Sequence, residues 1–456
     1  MLSDSSNPPA MKISASPQET IPAPADNRRS DAFTDSPPSA RLKVLVLDEE
    51  IPYPLDSGKR IRTFNLLVRL ARRHSITLLC YGKAGDPGRA ALEQAGIRVR
   101  LVEPLAAEAG ARLYMRLFAN LFSPYPFSVV KHHTARFQKA FDDLRSRENW
   151  DLIQCEWTPY ARFVPDNLTI PLMVSAHNVE SQIWGRRAGH SANPVEKLFF
   201  RTQEWKMRGF ERRALLRAAG STAVTEDDAQ TMREWQVPNV TLVPNGVDLN
   251  FYSQRTEPEG PNEILALASL DWFPNVDSLR YFHAEIFPLI RKHQPAAMLR
   301  IVGRRPAESL RQEFSGIPGI EFVGEVENVR PYLDRAAVVV VPLRIGGGSR
   351  LKILEALAAS KAVVSTSIGA EGLDLVPGED FARADSPVEF ARCVCELLAS
   401  SDARRSLSEN GRRRVQEKYG WDGIAQRQES AWRAISRSTG AEAINAPARL
   451  HLSQTP

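Results

Sequence analysis

Cysteine is scarce in this chain: four in 456 residues, at Cys80, Cys155, Cys393 and Cys395. That number and the setting of each exclude a disulfide framework. Cys80 and Cys155 lie in apolar, strand-like runs and read as buried thiols. Cys393 and Cys395 sit in a helical pattern with no histidine cluster nearby, so no metal site is expected. No apolar run approaches the ~20 residues a membrane span needs. The N-terminus is polar and proline-rich, without secretory character. The expected setting is therefore cytoplasmic. Net charge is also small. The 59 basic and 54 acidic residues leave +5, which gives no argument for nucleic acid but suits an anionic small ligand or an anionic membrane surface.

What is present is a soluble globular composition, 43% hydrophobic and 25% charged. The chain is too long for one typical core, so at least two domains are expected. Residues 1–40 are rich in proline and serine without apolar periodicity and read as a disordered arm. Arg41–Asp48, RLKVLVLD, is a continuous apolar strand of the buried parallel kind. A loop containing Gly58 follows, then a helix with Leu66, Leu67 and Leu70 on one face, then a strand at Ile76–Cys80. This opening is Rossmann-like. Gly58 is either a plain turn residue or the point where backbone approaches a phosphate or sugar. Further strands are expected at Arg98–Val102, Trp150–Trp157, Leu172–Ser175, Gly220–Val224 and Val240–Val243.

Three features of this half bear on chemistry. His177 falls just past the strand Leu172–Ser175, where open α/β sheets bind ligands. Its imidazole is either a satisfied structural group or a partner for a sugar hydroxyl or a leaving phosphate oxygen. Arg112–Phe122, RLYMRLFANLF, is amphipathic: a packed helix or a membrane-surface contact. Thr225–Asp228 tempts as an acidic metal motif but reads better as a helix cap with acids in its first turn. Residues 249–261 are polar with Pro258, Gly260 and Pro261, and mark a linker between domains.

The second half has strands at Ile264–Ala268, Leu299–Val302 and Ile320–Val323, the latter two followed by Gly303 and Gly324 at one sheet edge. Its centre is Val338–Leu373, VVVVPLRIGGGSRLKILEALAASKAVVSTSIGAEGL. A buried run leads into Gly346, Gly347 and Gly348. Ser349 is positioned to cap a helix with Leu351, Ile353, Leu354 and Leu357 on its buried face, and a second apolar run follows. Arg350 and Lys352 stand in the first helical turn, where cations oppose the helix dipole and a docked anion would reverse that sign. Glu355, three residues on, shares a face with Lys352. A phosphate at the basic end and a ribose diol on the carboxylate would match a nucleotide.

This block resembles the nucleotide-sugar signature of the retaining family-4 glycosyltransferases, in the branch written P-L-R-x-G-G-G-[ST]-R-L-K-x-L-E-A. PNGVD at Pro244–Asp248 and AHN at Ala176–Asn178 are similar to further family segments. The resemblance covers residues 41–435. It implies an α/β chain of the GT-B fold, two Rossmann-like domains with parallel sheets facing an interdomain cleft. The domains are then 41–248 for the acceptor, 249–261 as linker, 262–418 for the nucleotide sugar, and 419–437 as a terminal helix returning to the first domain. Residues 438–456 form a tail.

It also implies transfer of a sugar, with retention and without a metal or further cofactor, from a nucleotide-diphosphate sugar to a glycan or lipid-linked acceptor. Cell-surface or exopolysaccharide synthesis is the expected context, with peripheral contact at the inner membrane surface as one reading. Glu355 would hold the ribose, and His177 would orient the donor sugar. The glycines and Ser349 would take the donor beside Arg350 and Lys352. The family's other glutamate falls on Gly347, so its contact to the sugar hydroxyls is missing. The diphosphate cations that many members carry after the first strand of this domain fall on Ser269 and about Pro274, which reassigns that charge to Arg350 and Lys352. A sugar-nucleotide epimerase of the same fold and a non-catalytic nucleotide-sugar-binding protein are the alternatives.

Overall fold

A computed structural model describes residues 41–55, 57–104, 110–191, 193–253, 257–345 and 350–445, with side chains at all of these except 111–114, 190, 253 and 437–445. The arm expected at 1–40 lies outside the described residues, as do Gly346, Gly347, Gly348 and Ser349.

Seven short segments form the first sheet. They are β1 (Lys43–Asp48), β2 (Ser75–Tyr81), β3 (Arg98–Val102), β4 (Leu152–Cys155), β5 (Leu172–Ala176), β6 (Gly220–Ala223) and β7 (Val240–Leu242), in the order β3-β2-β1-β4-β5-β6-β7. Six more form the second: β8 (Glu263–Ser269), β9 (Met298–Arg304), β10 (Ile320–Gly324), β11 (Val338–Val341), β12 (Ala362–Ser365) and β13 (Ala382–Arg383), in the order β10-β9-β8-β11-β12-β13. The pairings are parallel, as crossover helices on both faces require. β4, β5, β6, β11 and β12 are buried along their whole length, which is why β11 reads as an unbroken apolar run, while Gln154, Ser175, Ser221, Thr222 and Ser365 are polar groups buried in the others. The two-residue β13 is too short to leave a period in the sequence.

In each sheet the strand order reverses beside its first strand, between β1 and β4 and between β8 and β11. Such a reversal opens a crevice at the carboxyl ends of the strands. The residues that end β1, β4, β8 and β11 therefore stand at these reversals.

The last helices tie the two sheets together. A helix at Ser401–Tyr419 stops at Gly420, whose backbone is extended, and a new helix starts at Trp421. It crosses to the first sheet, burying Trp421, Ile424, Trp432 and Ile435 against Leu66, Leu67 and Leu70. Each such side chain contributes roughly 1.5–3 kcal/mol of apolar burial. The crossing is close: a Cβ on Gly246 would lie 2.7 Å from the Trp421 ring, and Val247 N donates to Tyr419 O at 2.9 Å. This helix continues to Asn445, beyond the end expected at 437 and into the segment read as a tail. The helix after β11 also differs from expectation. It runs Leu351–Ala358 with Arg350 in the capping position and no side-chain cap from it; Ser349, from which a cap was expected, lies outside the described residues.

Candidate functional site

The first crevice holds a cluster of charge at the ends of β1, β4 and β5. Asp48 closes β1, and Lys59, in the helix Gly58–Ala71, donates from Nζ to Asp48 Oδ1 and Glu49 Oε1, each at 2.6 Å. Burial pushes the Asp48 carboxyl up to about 7 even against the neighbouring ammonium. Burial also opposes the charge on Lys59, but the two carboxylates prevail and hold its pKa above the usual range. Glu156, one residue past β4, is 1% exposed, and its Oε2 lies 3.2 Å from His177 Nε2. His177 follows β5, the neighbour of β4, so adjacent strand ends bring this pair together. Burial holds the His177 imidazole below its usual pKa, with Glu156 working the other way. Glu156 resists burial through its bond to His177 and the charges of Arg62 and Lys59, and stays below the usual carboxylate range.

The loop carrying His177 is pinned from behind. Asp228 Oδ1 accepts from Val179 N at 3.1 Å, and Glu211 accepts from Glu180 N at 2.8 Å and Ser181 N at 3.2 Å. Burial raises the Glu211 carboxyl to about 7. Thr225 Oγ1 accepts from Asp228 N at 3.1 Å and caps the helix Glu226–Glu234, so the acids of that segment serve the scaffold. Among the described residues no group of three His, Cys, Asp or Glu side chains is arranged to hold a metal ion.

The second crevice is built around Ser269, the last residue of β8. Its Oγ accepts from Arg304 Nε at 3.0 Å, Arg304 being the last residue of β9. Its carbonyl accepts from Asn275 Nδ2 at 2.9 Å, and Asn275 Oδ1 accepts from Lys352 Nζ at 2.7 Å. Burial pushes the Lys352 ammonium down to about 8, helped by the charge of Arg350 and opposed by Glu355. Arg350 is 7% exposed and pairs with Glu371 at 3.0 Å. Burial lowers its pKa, Glu371 raises it, and Arg186 of the first domain lowers it. Glu355 is raised by burial against a hydrogen bond from Tyr252 and the charge of Lys352. Tyr252 lies in a short helix, Leu249–Ser253, within the segment expected as a featureless linker.

Lys352, Glu355 and Arg350 thus share one helix end. Gly58 is the first residue of its helix, behind Ser57, whose hydroxyl accepts from Arg60 N. Gly303 lies inside β9, where a Cβ would stand 1.9 Å from Ala268 O, so sheet packing alone requires a glycine. Gly324 ends β10 at φ +81°, a backbone region that favours glycine. The crevices adjoin across the domain boundary: a Cβ at Gly372 would reach Thr225 Cγ2 at 3.4 Å, and Arg186 acts on Arg350. Sequence reading passed over Asp48, Lys59, Asn275, Arg304 and Tyr252. The first four stand at or near strand ends, which the strand pattern could have flagged; Tyr252 carries no local signal.

Comparison with known proteins agrees with this geometry. Residues 57–246 match the family described as glycosyl transferase 4-like domain, and residues 261–400 match glycosyl transferases group 1. The chain is similar to an uncharacterized 44.6 kDa protein in the cps region of Klebsiella pneumoniae, 21% identical over 83% of this chain and 96% of that one. In structure it is similar to sucrose-phosphate synthase from Thermosynechococcus elongatus, with TM-score 0.64 and 17% identity over 87% of this chain and 100% of the other. It is also similar to Anabaena HepE in complex with UDP and glucose, with TM-score 0.58 and 13% identity over 86% of this chain and 100% of the other. No helix among the described residues is long and apolar enough to cross a membrane. With two parallel-sheet domains, each reversing its strand order beside its first strand, the chain is a glycosyltransferase of the GT-B fold, a glycosyl transferase 4-like domain followed by a group 1 domain.

Proposed function

We propose that this glycosyltransferase moves a sugar from a nucleotide-diphosphate sugar to a glycan or lipid-linked acceptor. The observation that carries the reading is Lys352. A lysine in the first turn of a helix opposes the dipole, and this one is half-buried with a neutral amide as its hydrogen-bond partner. A diphosphate docked at that helix end adds negative charge beyond that of Glu355, and Arg304 approaches from β9. The leaving diphosphate gains charge as the glycosidic bond breaks, and fixed cations aimed at that charge are the largest catalytic term such a site can provide. His177, at the opposing crevice, orients the sugar. Glu355 takes the ribose.

HepE is held with UDP and glucose in its crystal structure, which supports a nucleotide donor here. The cps-region relative supports a role in surface or exopolysaccharide synthesis. Retention and independence of metal are part of the same reading. A lipid-linked acceptor is supported by the outer face of the first domain. Met115, Phe118 and Phe122 are 64%, 65% and 80% exposed along the helix Ala111–Leu121 and its end. Beside them Trp205 is 75% exposed on the helix Pro194–Leu216, whose surface also carries Lys197, Arg201, Arg208, Arg212 and Arg213. Lys206 Nζ bonds Asn120 O and Leu121 O and joins the two helices. Apolar tips among cations suit peripheral contact with an anionic membrane surface.

The test is a thermal-shift screen of UDP-, GDP- and ADP-sugars, followed by turnover with the stabilising donor. Acceptor-dependent release of nucleoside diphosphate supports transfer. Epimerised free donor, or binding without turnover, overturns it. The anomeric configuration of the product by proton NMR decides retention, and activity after chelation decides metal independence.

A further inference from the structure

The side chain of His177 is governed from a distant part of the chain. Glu156 does not meet His177 alone: its other oxygen accepts from Gln154 Nε2. Gln154 sits two residues earlier on β4 and so faces the same side of the strand. Its Oε1 in turn accepts from Trp432 Nε1 and, at 3.1 Å, from Gln428 Nε2. Gln428 and Trp432 are four residues apart on the terminal helix Trp421–Asn445 and present one face to β4. Gln154, Glu156, Gln428 and Trp432 are at most 1% exposed.

The direction of every bond in this chain is fixed by chemistry. An indole N–H only donates, so the Gln154 atom facing Trp432 must be the oxygen. That leaves the Gln154 amide nitrogen facing Glu156. An ionised carboxylate only accepts, so the His177 nitrogen facing Glu156 must carry the hydrogen. A neutral imidazole with its proton on Nε2 has its lone pair on Nδ1.

We propose that Trp432 and Gln428 of the terminal helix are positioning residues that set the tautomer of His177, holding Nδ1 as an acceptor for a hydroxyl of the donor sugar. The sugar contact rests on the proposed function; the tautomer does not. The terminal helix reaches this place from the group 1 domain, so the half of the chain that binds nucleotide also prepares the sugar-facing group of the other half. Without the indole and the Gln428 amide, the Gln154 oxygen loses both donors that anchor it, and the amide no longer holds Glu156 in one place. Glu156 loses its fixed orientation, and His177 is released to either tautomer.

The test compares the full-length wild type with Trp432→Phe and with Trp432→Phe/Gln428→Leu. Histidine-selective nitrogen-15 labelling reads the ring nitrogens, and His177→Gln assigns the signal among the eight histidines. The expected wild-type signature is protonation at Nε2. The double variant should show a mixture of tautomers and a kcat lower by roughly tenfold, with donor KM within about twofold, since orientation and not donor affinity is lost. A wild type protonated at Nδ1, or a double variant with unchanged tautomer, overturns the proposal. Should the double variant not fold, Trp432→Phe alone keeps an aromatic ring while losing the N–H and part of the indole's volume, and the same signature decides. Should the wild type transfer no sugar, the proposed function falls while the NMR measurement still decides the tautomer.

Discussion

Lys352 Nζ lies 2.7 Å from Asn275 Oδ1, and the same amide reaches from its nitrogen to Ser269 O at 2.9 Å. One buried asparagine therefore fixes the ammonium against the end of β8. Replacing Lys352 with Gln should weaken donor binding by about 2 kcal/mol, roughly thirtyfold, as expected for a lost charged hydrogen bond. Ser269→Ala should cost far less, because Asn275 bonds its carbonyl, and its hydroxyl accepts from Arg304, whose charge remains. Calorimetry on both variants checks this. Equal affinities would place the diphosphate elsewhere.

The same lysine predicts a pH dependence. Its pKa of about 8 lies below the ordinary lysine value, so folding disfavours the charged form. Between about 8 and the unfolded value the unfolded chain binds more protons, and this group makes the apo protein more stable as pH rises. Donor binding should run the other way. A diphosphate needs the ammonium, so affinity should fall as pH passes about 8, with proton uptake on binding near that pH. Calorimetry in buffers of different ionisation enthalpy reads the uptake; a flat profile would dissociate Lys352 from the ligand.

Glu355 should matter for the nucleoside and not for the sugar. Glu355→Ala should weaken binding of donor and of free nucleoside diphosphate alike, by about tenfold, from the loss of a charged acceptor. Titrating both ligands separates this from a contact to the sugar. Unchanged binding would count against the whole helix-end site.

The exposed apolar tips predict membrane partition. Replacing both Phe118 and Phe122 with Ser removes two aromatic side chains, each worth roughly 1.5–3 kcal/mol on burial. Sedimentation with anionic vesicles should fall by at least about tenfold, and donor binding should not change. Equal sedimentation of wild type and variant would remove the membrane from the proposed function.

Gly303 predicts a loss of stability. A Cβ there meets Ala268 O at 1.9 Å inside the sheet, so Gly303→Ala forces β8 and β9 apart at a cost of about 3 kcal/mol. A lowered Tm without ligand checks it. An unchanged Tm would mean that the strands adjust freely.

The parallel sheets were legible because strands buried on both faces, such as Val338–Val341, must be apolar throughout. The helix-end cluster of Arg350, Lys352 and Glu355 was legible for a related reason, since a helix places neighbours at fixed spacing. Other features were hidden. Arg350 is committed to Glu371, and Tyr252 reaches Glu355 out of a segment that reads as linker. The last helix was expected to cross back to the first domain, but nothing local tells that Trp432 would find Gln154.

Periodicity and strand-end position are properties of a stretch of chain, and the sequence by itself determined them: two βα sheets and a basic helix end after β11. Only the tertiary structure decided which charges meet. Glu156 and His177, Lys352 and Asn275, Arg304 and Ser269 are neighbours because parallel strands align their carboxyl ends and terminal helices cross between sheets. Pairings between such distant positions follow from strand order and helix docking, which no short window of residues contains.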